Sequence, residues 1–281
     1  MKRGTALVTG SSSGFGLRTC VALAARGFEV WASMRDTSRE GALLDALDAS
    51  GFGRERVHVV ALDITDAAAR SALVEQILDA RGFVDVLVNN AGVLQHGFAE
   101  ELDEAALRQQ FDVNFFAHVE LTKLVLPAMR ERRWGRVINV TSMAGRRAIP
   151  GHAAYCASKF ALEGWSEALR YELLPFHVFV CLVEPGLFPT EMFGRNHLDR
   201  VVAGSVYQKL RDALADDQSR MQQLLSFADP EQVARQIAAI ALAERPALRH
   251  PVGLDAWLGA LTLAPLAQAW WEARVTQMFR R

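Results

Sequence analysis

The chain has 281 residues, 51% of them hydrophobic, enough for one large α/β domain with a sizeable buried core. Lysine plus arginine (31) balance aspartate plus glutamate (32), a formal net charge of −1 that argues against a nucleic-acid partner. Its three cysteines, Cys20, Cys156 and Cys181, are scattered with no CxxC and no Cys/His pair at metal spacing, so neither a disulfide framework nor a metal centre is expected and a reducing, cytoplasmic setting is.

The N-terminal run MKRGTALVTG has no apolar signal-peptide segment and enters a first strand over Thr5–Gly10. A helix over Phe15–Arg26 ends near Gly27, and FEVWAS is the second strand. Ser38 begins a helix that runs to about Ser50, followed by RVHVVALD as the third strand. Thr65 or Asp66 supplies the oxygen that caps the next helix. VDVLVNNAG is the fourth strand with its exit loop, and a long helical region spans about Glu100–Arg132. GRVINVTS is the fifth strand, Ala153–Leu174 a helix stopped before Pro175, and HVFVCLVEPG the sixth strand. Beyond Pro185 the pattern changes to mixed helix and loop, then a helix from Asp229-Pro230 to Leu242 and a short seventh strand near His250–Val252. Near-continuous apolar strands alternating with helices predict a Rossmann-type, doubly wound parallel sheet of about seven strands with helices on both faces and a C-terminal helical extension. One domain over 1–281 is expected, with an insertion at 187–228 and an apolar tail at 253–281 inside it.

The run TGSSSGFG joins the first strand to the first helix and places Gly10, Gly14 and Gly16 at GxxxGxG spacing. A helix N-terminus presents free N–H groups and a positive dipole end, and glycines there let a diphosphate approach the backbone closely. The second strand ends in WASMRD, so Met34 and Arg35 stand where an acid would bond an adenosine ribose; Asp36 comes too late. Arg35 suits a 2′-phosphate, which favours NADP(H) over NAD(H).

Tyr155 and Lys159 lie four apart in YCASKFALEG, on one face of a helix. An ammonium beside a phenol favours the phenolate, so a lowered tyrosine pKa is expected, suited to general acid/base work on an alcohol/carbonyl pair. His118, His152 and His177 are not needed as bases and read as core or surface histidines.

TGSSSGFG, NNAG, Asn114 in DVNFF, Ser142 in NVTS, the YCASK run and EPGLFPT occur in order. In these motifs, over about Thr5–Thr190, the chain resembles the short-chain dehydrogenase/reductase family. YCASKFALEG and the ASMRD strand ending resemble the branch containing 17β-hydroxysteroid and retinol dehydrogenases. The resemblance implies that Tyr155 exchanges the substrate proton, Lys159 lowers its pKa and bonds the nicotinamide ribose, and Ser142 orients the substrate oxygen. It implies that Asn114 holds a water linking Lys159 to solvent, and that hydride moves at the nicotinamide. Asp63 would bond the adenine amino group, with Asn89, Ala91 and Gly92 along the adenosine and Ser12 and Ser13 at its ribose or phosphate. Phe15, where the family often has isoleucine, would pack under the cofactor. Pro185 and Gly186 would turn the chain past the nicotinamide, and Phe188 and Thr190 would hold its carboxamide.

By the same resemblance the substrate lies between the loops after Ser142 and Gly186 and the C-terminal part. Met143, Ile149, Leu187, Met192 and Phe193 suggest an apolar pocket for a steroid, retinoid or lipid-like alcohol or ketone. Gln95 and His96 are further candidates to face it, while Arg146 and Arg147 read as exposed loop arginines. The tail's uncharged stretch Ala256–Trp271 contains Pro265 and is too short to span a bilayer comfortably. Its few arginines favour packing on protein, as lid or subunit interface, over peripheral membrane contact. Related enzymes are commonly dimers or tetramers, so a homo-oligomer through the Glu100–Arg132 and Ala153–Leu174 helices is expected. The rival readings are a cofactor-binding regulatory protein without turnover, an NAD-dependent dehydrogenase working oxidatively, and a nucleotide-sugar epimerase or dehydratase, whose earlier GxxGxxG spacing is not seen.

Overall fold

A computed structural model describes residues 4–52, 54–188, 197–199, 202, 204–224, 229–261 and 277. The larger sheet has seven strands: β1 (Thr5–Thr9), β2 (Glu29–Met34), β3 (Val57–Ala61), β4 (Val86–Asn89), β6 (Gly135–Val140), β7 (Val178–Pro185) and β9 (Arg249–Val252). Their order is β3-β2-β1-β4-β6-β7-β9, all parallel. The winding reverses between β1 and β4, where Ala6 pairs with Val30 on one side and Val86 on the other. Such a reversal opens a crevice at the carboxyl ends of the strands.

Successive residues of each strand point to opposite faces, and both faces are apolar. Ala6, Val8, Val30, Ala32, Val86 and Val88 pack against α1 (Gly14–Ala25), α2 (Gly41–Ser50) and α8 (Glu231–Leu242). Leu7, Trp31, Leu87, Val137 and Val180 pack against α3 (Ala67–Arg81), α5 (Ala117–Glu131) and α6 (Ala153–Leu173). The continuous apolar runs of the sequence are therefore strands covered on both sides. A short 3₁₀ turn at Thr37–Arg39 precedes α2, so the expected helix from Ser38 is broken near its start.

The helical stretch expected over Glu100–Arg132 begins later and is not uniform. It consists of α4 (Glu104–Phe111), a π turn over Asp112–Phe116, and α5. Asn114 sits in the π turn, fully buried, with Oδ1 accepting from the Val93 amide (2.9 Å) and Nδ2 donating to the Val93 carbonyl (2.9 Å). A side chain with helix-disfavoured chemistry thus braces the β4 exit loop against the widened turn.

A second, two-stranded sheet pairs β5 (Leu94–His96) with β8 (His197–Asp199), which sequence reading missed. Helix α7 (Gln208–Leu224) follows β8, and α9 (Leu254–Leu261) follows β9. The expected tail beyond α9, Thr190, Met192 and Phe193 lie outside the described residues, apart from an isolated helical residue at 277. Among the described residues no helix is long and apolar enough to cross a membrane.

Candidate active site

β1 ends in Thr9, whose hydroxyl oxygen accepts from the Asn90 and Ala91 amides (both 3.0 Å) and so ties the glycine turn to the β4 exit loop. Gly10 follows with φ +68°, and a Cβ there would meet the Ala91 Cα at 2.8 Å. Both the backbone conformation and the approach demand glycine. Helix α1 then starts at Gly14 with Ser13 as N-cap, but the Ser13 side chain makes no capping bond and the first turn holds no acid. Its leading N–H groups are thus left for an outside acceptor.

That helix end faces a cleft of about 1060 Å³, lined there by Gly10, Ser12, Ser13, Gly14 and Phe15. Met34, Arg35, Asp36 and Arg39 line it at the end of β2, Asp63 and Ile64 after β3, and Ala91 and Gly92 after β4. The Asp36 carboxylate accepts from the Ser38 amide (3.0 Å) and hydroxyl (2.7 Å), bonds that hold its pKa below the usual range. Both bonds fall on Oδ1 and hold the 3₁₀ turn. Asp63 likewise accepts from the Thr65 amide (2.9 Å) and hydroxyl (2.7 Å). Burial would raise its pKa, but the Thr65 bonds and the charge of Arg35 carry it below the ordinary value. The chemistry around the cleft fits a dinucleotide: an uncapped helix end for the diphosphate, and Arg35 and Arg39 where a 2′-phosphate would lie.

Gly16 and Asn89, both expected at the cofactor, have packing partners of their own. Gly16 does not line the cleft; a Cβ there would run into the Gly10 carbonyl and meet the Asn90 amide nitrogen at 2.5 Å, so this glycine seats α1 on the turn. Asn89 is fully buried and donates to Thr122 Oγ1 (3.0 Å) and Asn139 Oδ1 (2.8 Å), a core network between β4, β6 and α5. Its neighbour Asn90 lines the cleft instead and donates to the Thr9 (2.8 Å) and Gly10 (3.1 Å) carbonyls.

Beyond the cleft lining, β6 and α6 bring Ser142, Tyr155 and Lys159 together. Ser142 ends the strand in an extended conformation and accepts from the Ala144 amide (3.1 Å), capping the 3₁₀ turn Met143–Gly145. Tyr155 is buried against Leu94, Ala144, Cys156 and Ile149. Burial pushes the Tyr155 phenol up to about 12, against the lowering effect of a hydrogen bond with Ser142. This overturns the lowered pKa expected from the Tyr-Lys spacing. The Lys159 ammonium lies 5.8 Å from the Tyr155 ring centroid and donates to the Val140 carbonyl (2.9 Å). Lys159 is itself buried, which pushes it down to about 8, opposed by the charge of Glu163. Asn114 reaches toward this group through Ser158, 3.4 Å from its Nδ2. Cys156 is buried and its thiol pushed up, so nothing makes it a nucleophile.

Past Tyr155, β7 ends in Pro185 and Gly186. A Cβ on Gly186 would collide with the Asp255 carboxylate, which accepts from the Leu187 amide (2.7 Å). Asp255 is the residue that shapes this turn, and no local motif announces it. Phe188 is buried edge-on to Phe15, ring centroids 5.7 Å apart, which joins the loop after β7 to the glycine turn. Near β5, side-chain contacts join distant segments. Phe98 stacks on Tyr207 at 4.4 Å, and Glu101 pairs with Arg211 at 2.7 Å with both side chains largely buried. Helix α9 lies over the 3₁₀ turn, where a Cβ on Gly259 would meet Met143 Cε at 2.9 Å.

Comparison with known proteins agrees with this arrangement. The family profile described as short chain dehydrogenase matches residues 4–200. The chain is 35% identical over 278 residues to the uncharacterized oxidoreductase YusZ of Bacillus subtilis, covering 97% of each chain. It is 35% identical over 262 residues to 17-beta-hydroxysteroid dehydrogenase type 1 of Homo sapiens, covering 89% of this chain and 77% of that one. Among solved structures, a short-chain dehydrogenase from Streptomyces avermitilis superposes with a TM-score of 0.79 at 34% identity, covering 99% of this chain and 96% of that one.

Proposed function

The chain belongs to the short-chain dehydrogenase/reductase family of NAD(P)-using oxidoreductases, and on that premise we propose that it is an NADP(H)-dependent reductase of hydrophobic ketones. The observation that carries the reading is the buried Tyr155 phenol, hydrogen-bonded with Ser142 and backed by Lys159. With its pKa pushed up to about 12, Tyr155 holds its proton throughout the physiological range and is ready to give it to a carbonyl oxygen. Ser142 bonds the same oxygen and stabilises charge as it develops. Lys159, pushed down to about 8 yet still cationic near neutrality, favours the phenolate left behind. Asn114 fixes the β4 exit loop beside this group, and a water held there would return the proton. The nicotinamide, when bound, supplies the hydride. Arg35, with Arg39 beside it, holds the 2′-phosphate, and Ser12, Ser13 and the first turn of α1 hold the diphosphate and adenosine ribose.

The substrate class follows from the walls. Leu94, Ala144, Cys156 and Ile149 surround Tyr155 with carbon, which suits a steroid, retinoid or lipid-like ketone. The 17-beta-hydroxysteroid dehydrogenase among the relatives points the same way. Leu107 on α4, Phe116 on the π turn and Phe160 on α6 leave apolar side chains exposed, and a homo-oligomer in the cytoplasm would bury them.

Binding of NADPH and NADH, followed by calorimetry on the protein and its Arg35→Ala variant, tests the cofactor. Loss of a charge-assisted contact of about 1.5–3 kcal/mol weakens NADPH roughly ten- to a hundredfold and leaves NADH unchanged. Equal affinity for the two cofactors would sink the 2′-phosphate clamp. In a screen of hydrophobic ketones, Tyr155→Phe is expected to lose about 10²–10⁴ in kcat with NADPH affinity kept. Reduction of small polar carbonyls alone would overturn the substrate class.

A further inference from the structure

Behind Lys159 lies a charged cluster that the acid/base reading leaves unused. Glu163, one turn further along α6, is buried on the same face. Arg249 on β9 bonds Glu163 and also pairs with Glu184 of β7 (2.9 Å) and Glu167 of α6 (2.8 Å). Glu184 is fully buried, whereas Glu167 is 42% exposed. The Thr141 side chain also bonds the Glu163 carboxyl, and the Arg146 guanidinium stands 3.5 Å from Glu184 Oε2. The groups facing Glu163 are therefore Lys159 and Glu167 on its own helix, Thr141 after β6, Glu184 on β7 and Arg249 on β9, with Arg146 beyond Glu184. The 3₁₀ turn after Ser142 rests directly on this cluster. A Cβ on Gly145 would meet Glu163 Cγ at 2.9 Å and the Lys159 carbonyl at 3.1 Å.

We propose that Glu163, clamped by Arg249 beside Glu184, is a positioning residue whose carboxylate is the counter-charge that keeps Lys159 protonated behind Tyr155. The inference rests on the reading of Lys159 as the cation that supports Tyr155. Lys159 needs such a partner, because its ammonium sits in the interior with a neutral carbonyl as its hydrogen-bond acceptor. Burial, with the Glu184 charge adding, pushes Glu163 up to about 7, and burial pushes Lys159 down to about 8 against the charge of Glu163.

The chain has only four lysines, Lys2, Lys123, Lys159 and Lys209, so ε-¹³C-lysine NMR on the full chain can follow Lys159 alone, with Lys159→Arg for assignment. Glu163→Gln is expected to move the Lys159 midpoint about one pH unit lower. Glu167→Gln, which alters the same Arg249 clamp from its exposed side, is expected to leave it in place. The alkaline limb of the kcat/KM profile for a ketone found in the screen moves down with the midpoint. An unchanged midpoint in Glu163→Gln, or an equal shift in Glu167→Gln, overturns the proposal. Should Glu163→Gln fail to fold, Glu163→Asp is expected to give a smaller shift of the same sign, and no shift there overturns it as well. The titration needs no substrate, so it is separable from the catalytic reading, which instead fails if Tyr155→Phe keeps full turnover.

Discussion

Around β1 and β4 the site is held by backbone and short polar side chains of two sequence motifs: Thr9 to Asn90 and Ala91, Asn90 to Gly10, Gly16 against Gly10. Around β5 and β8 it is held by side chains more than a hundred residues apart, Glu101 with Arg211 and Ser205, and Phe98 with Tyr207. The first kind of assembly is compact, built from glycines, main-chain atoms and the short side chains of Thr9 and Asn90. The second depends on a few side chains clamping α7 onto the segment after β5. On the proposed reading the compact half would meet the cofactor, and the part that would choose a substrate is built from contacts that a few substitutions can rearrange.

The contrast is broken most severely at Glu101. Glu101→Ala leaves Arg211, whose side chain is only 12% exposed, without its carboxylate. Removing one partner of a buried pair costs about 3–5 kcal/mol. If the clamp is local, that loss falls on residues 204–216 and not on the sheet. Hydrogen exchange is then expected to quicken over 204–216 with Thr5–Thr9 unchanged, and the KM for a ketone to rise while NADPH affinity holds. Parallel loss of protection in β1 would show that α7 belongs to the same cooperative unit as the sheet.

A smaller effect of opposite location is expected at Gly16. The added methyl of Gly16→Ala meets the Gly10 carbonyl and the Asn90 side-chain amide, which is itself bonded to the Thr9 and Gly10 carbonyls. Overpacking of this kind costs about 1–3 kcal/mol and shifts the glycine turn. Urea unfolding is expected to show the loss, and calorimetry a weaker affinity for NADPH and NADH alike. Discrimination between the cofactors lost at Gly16 would contradict the assignment of that choice to Arg35.

The sequence shows the central strands because a strand covered on both faces is a continuous apolar run, as in ALV of β1 and VFVCLV of β7, whereas the edge strand β9, RHPV, carries no such run. It does not show β5 or β8, three residues each, whose pairing depends wholly on where the chain returns in space. Tyr155 and Lys159 are legible from their spacing, but the direction of the tyrosine pKa is not, since burial outweighs the neighbouring charge and burial belongs to the packed state. Asn114 announces itself as a misfit inside a helix, yet nothing local names Val93 as its partner. Gly186 reads as a turn glycine, whereas the reason for it, Asp255, lies on another element 68 residues from Leu187. Arg249 shows no motif at all, because its three carboxylates come from α6 and β7.

The gentlest test touches the compact half alone. His118 is fully buried on α5, where the Ala91 backbone alone favours its charged form. Burial, and then the charge of Lys159, push it down to about 3. Its folded pKa is depressed below the ordinary 6.5, so the unfolded chain takes the proton first. Stability is then complete above about 6.5 and is lost as pH falls toward 3, by about 1.4 kcal/mol at pH 5.5. Glu163 acts in the other direction over part of that window: raised from 4.5 to about 7, it makes the folded protein the better proton binder, so acidification from 7 toward 4.5 adds stability. The two effects partly cancel in the wild-type curve, and the useful quantity is a difference. Thermal midpoints of His118→Leu and wild type, measured from pH 7 down to pH 5.5, are expected to diverge, the wild type falling further relative to the variant. Curves that stay parallel would mean that His118 finds a partner in solution and that the floor of the site beside Lys159 is more open than its packing indicates.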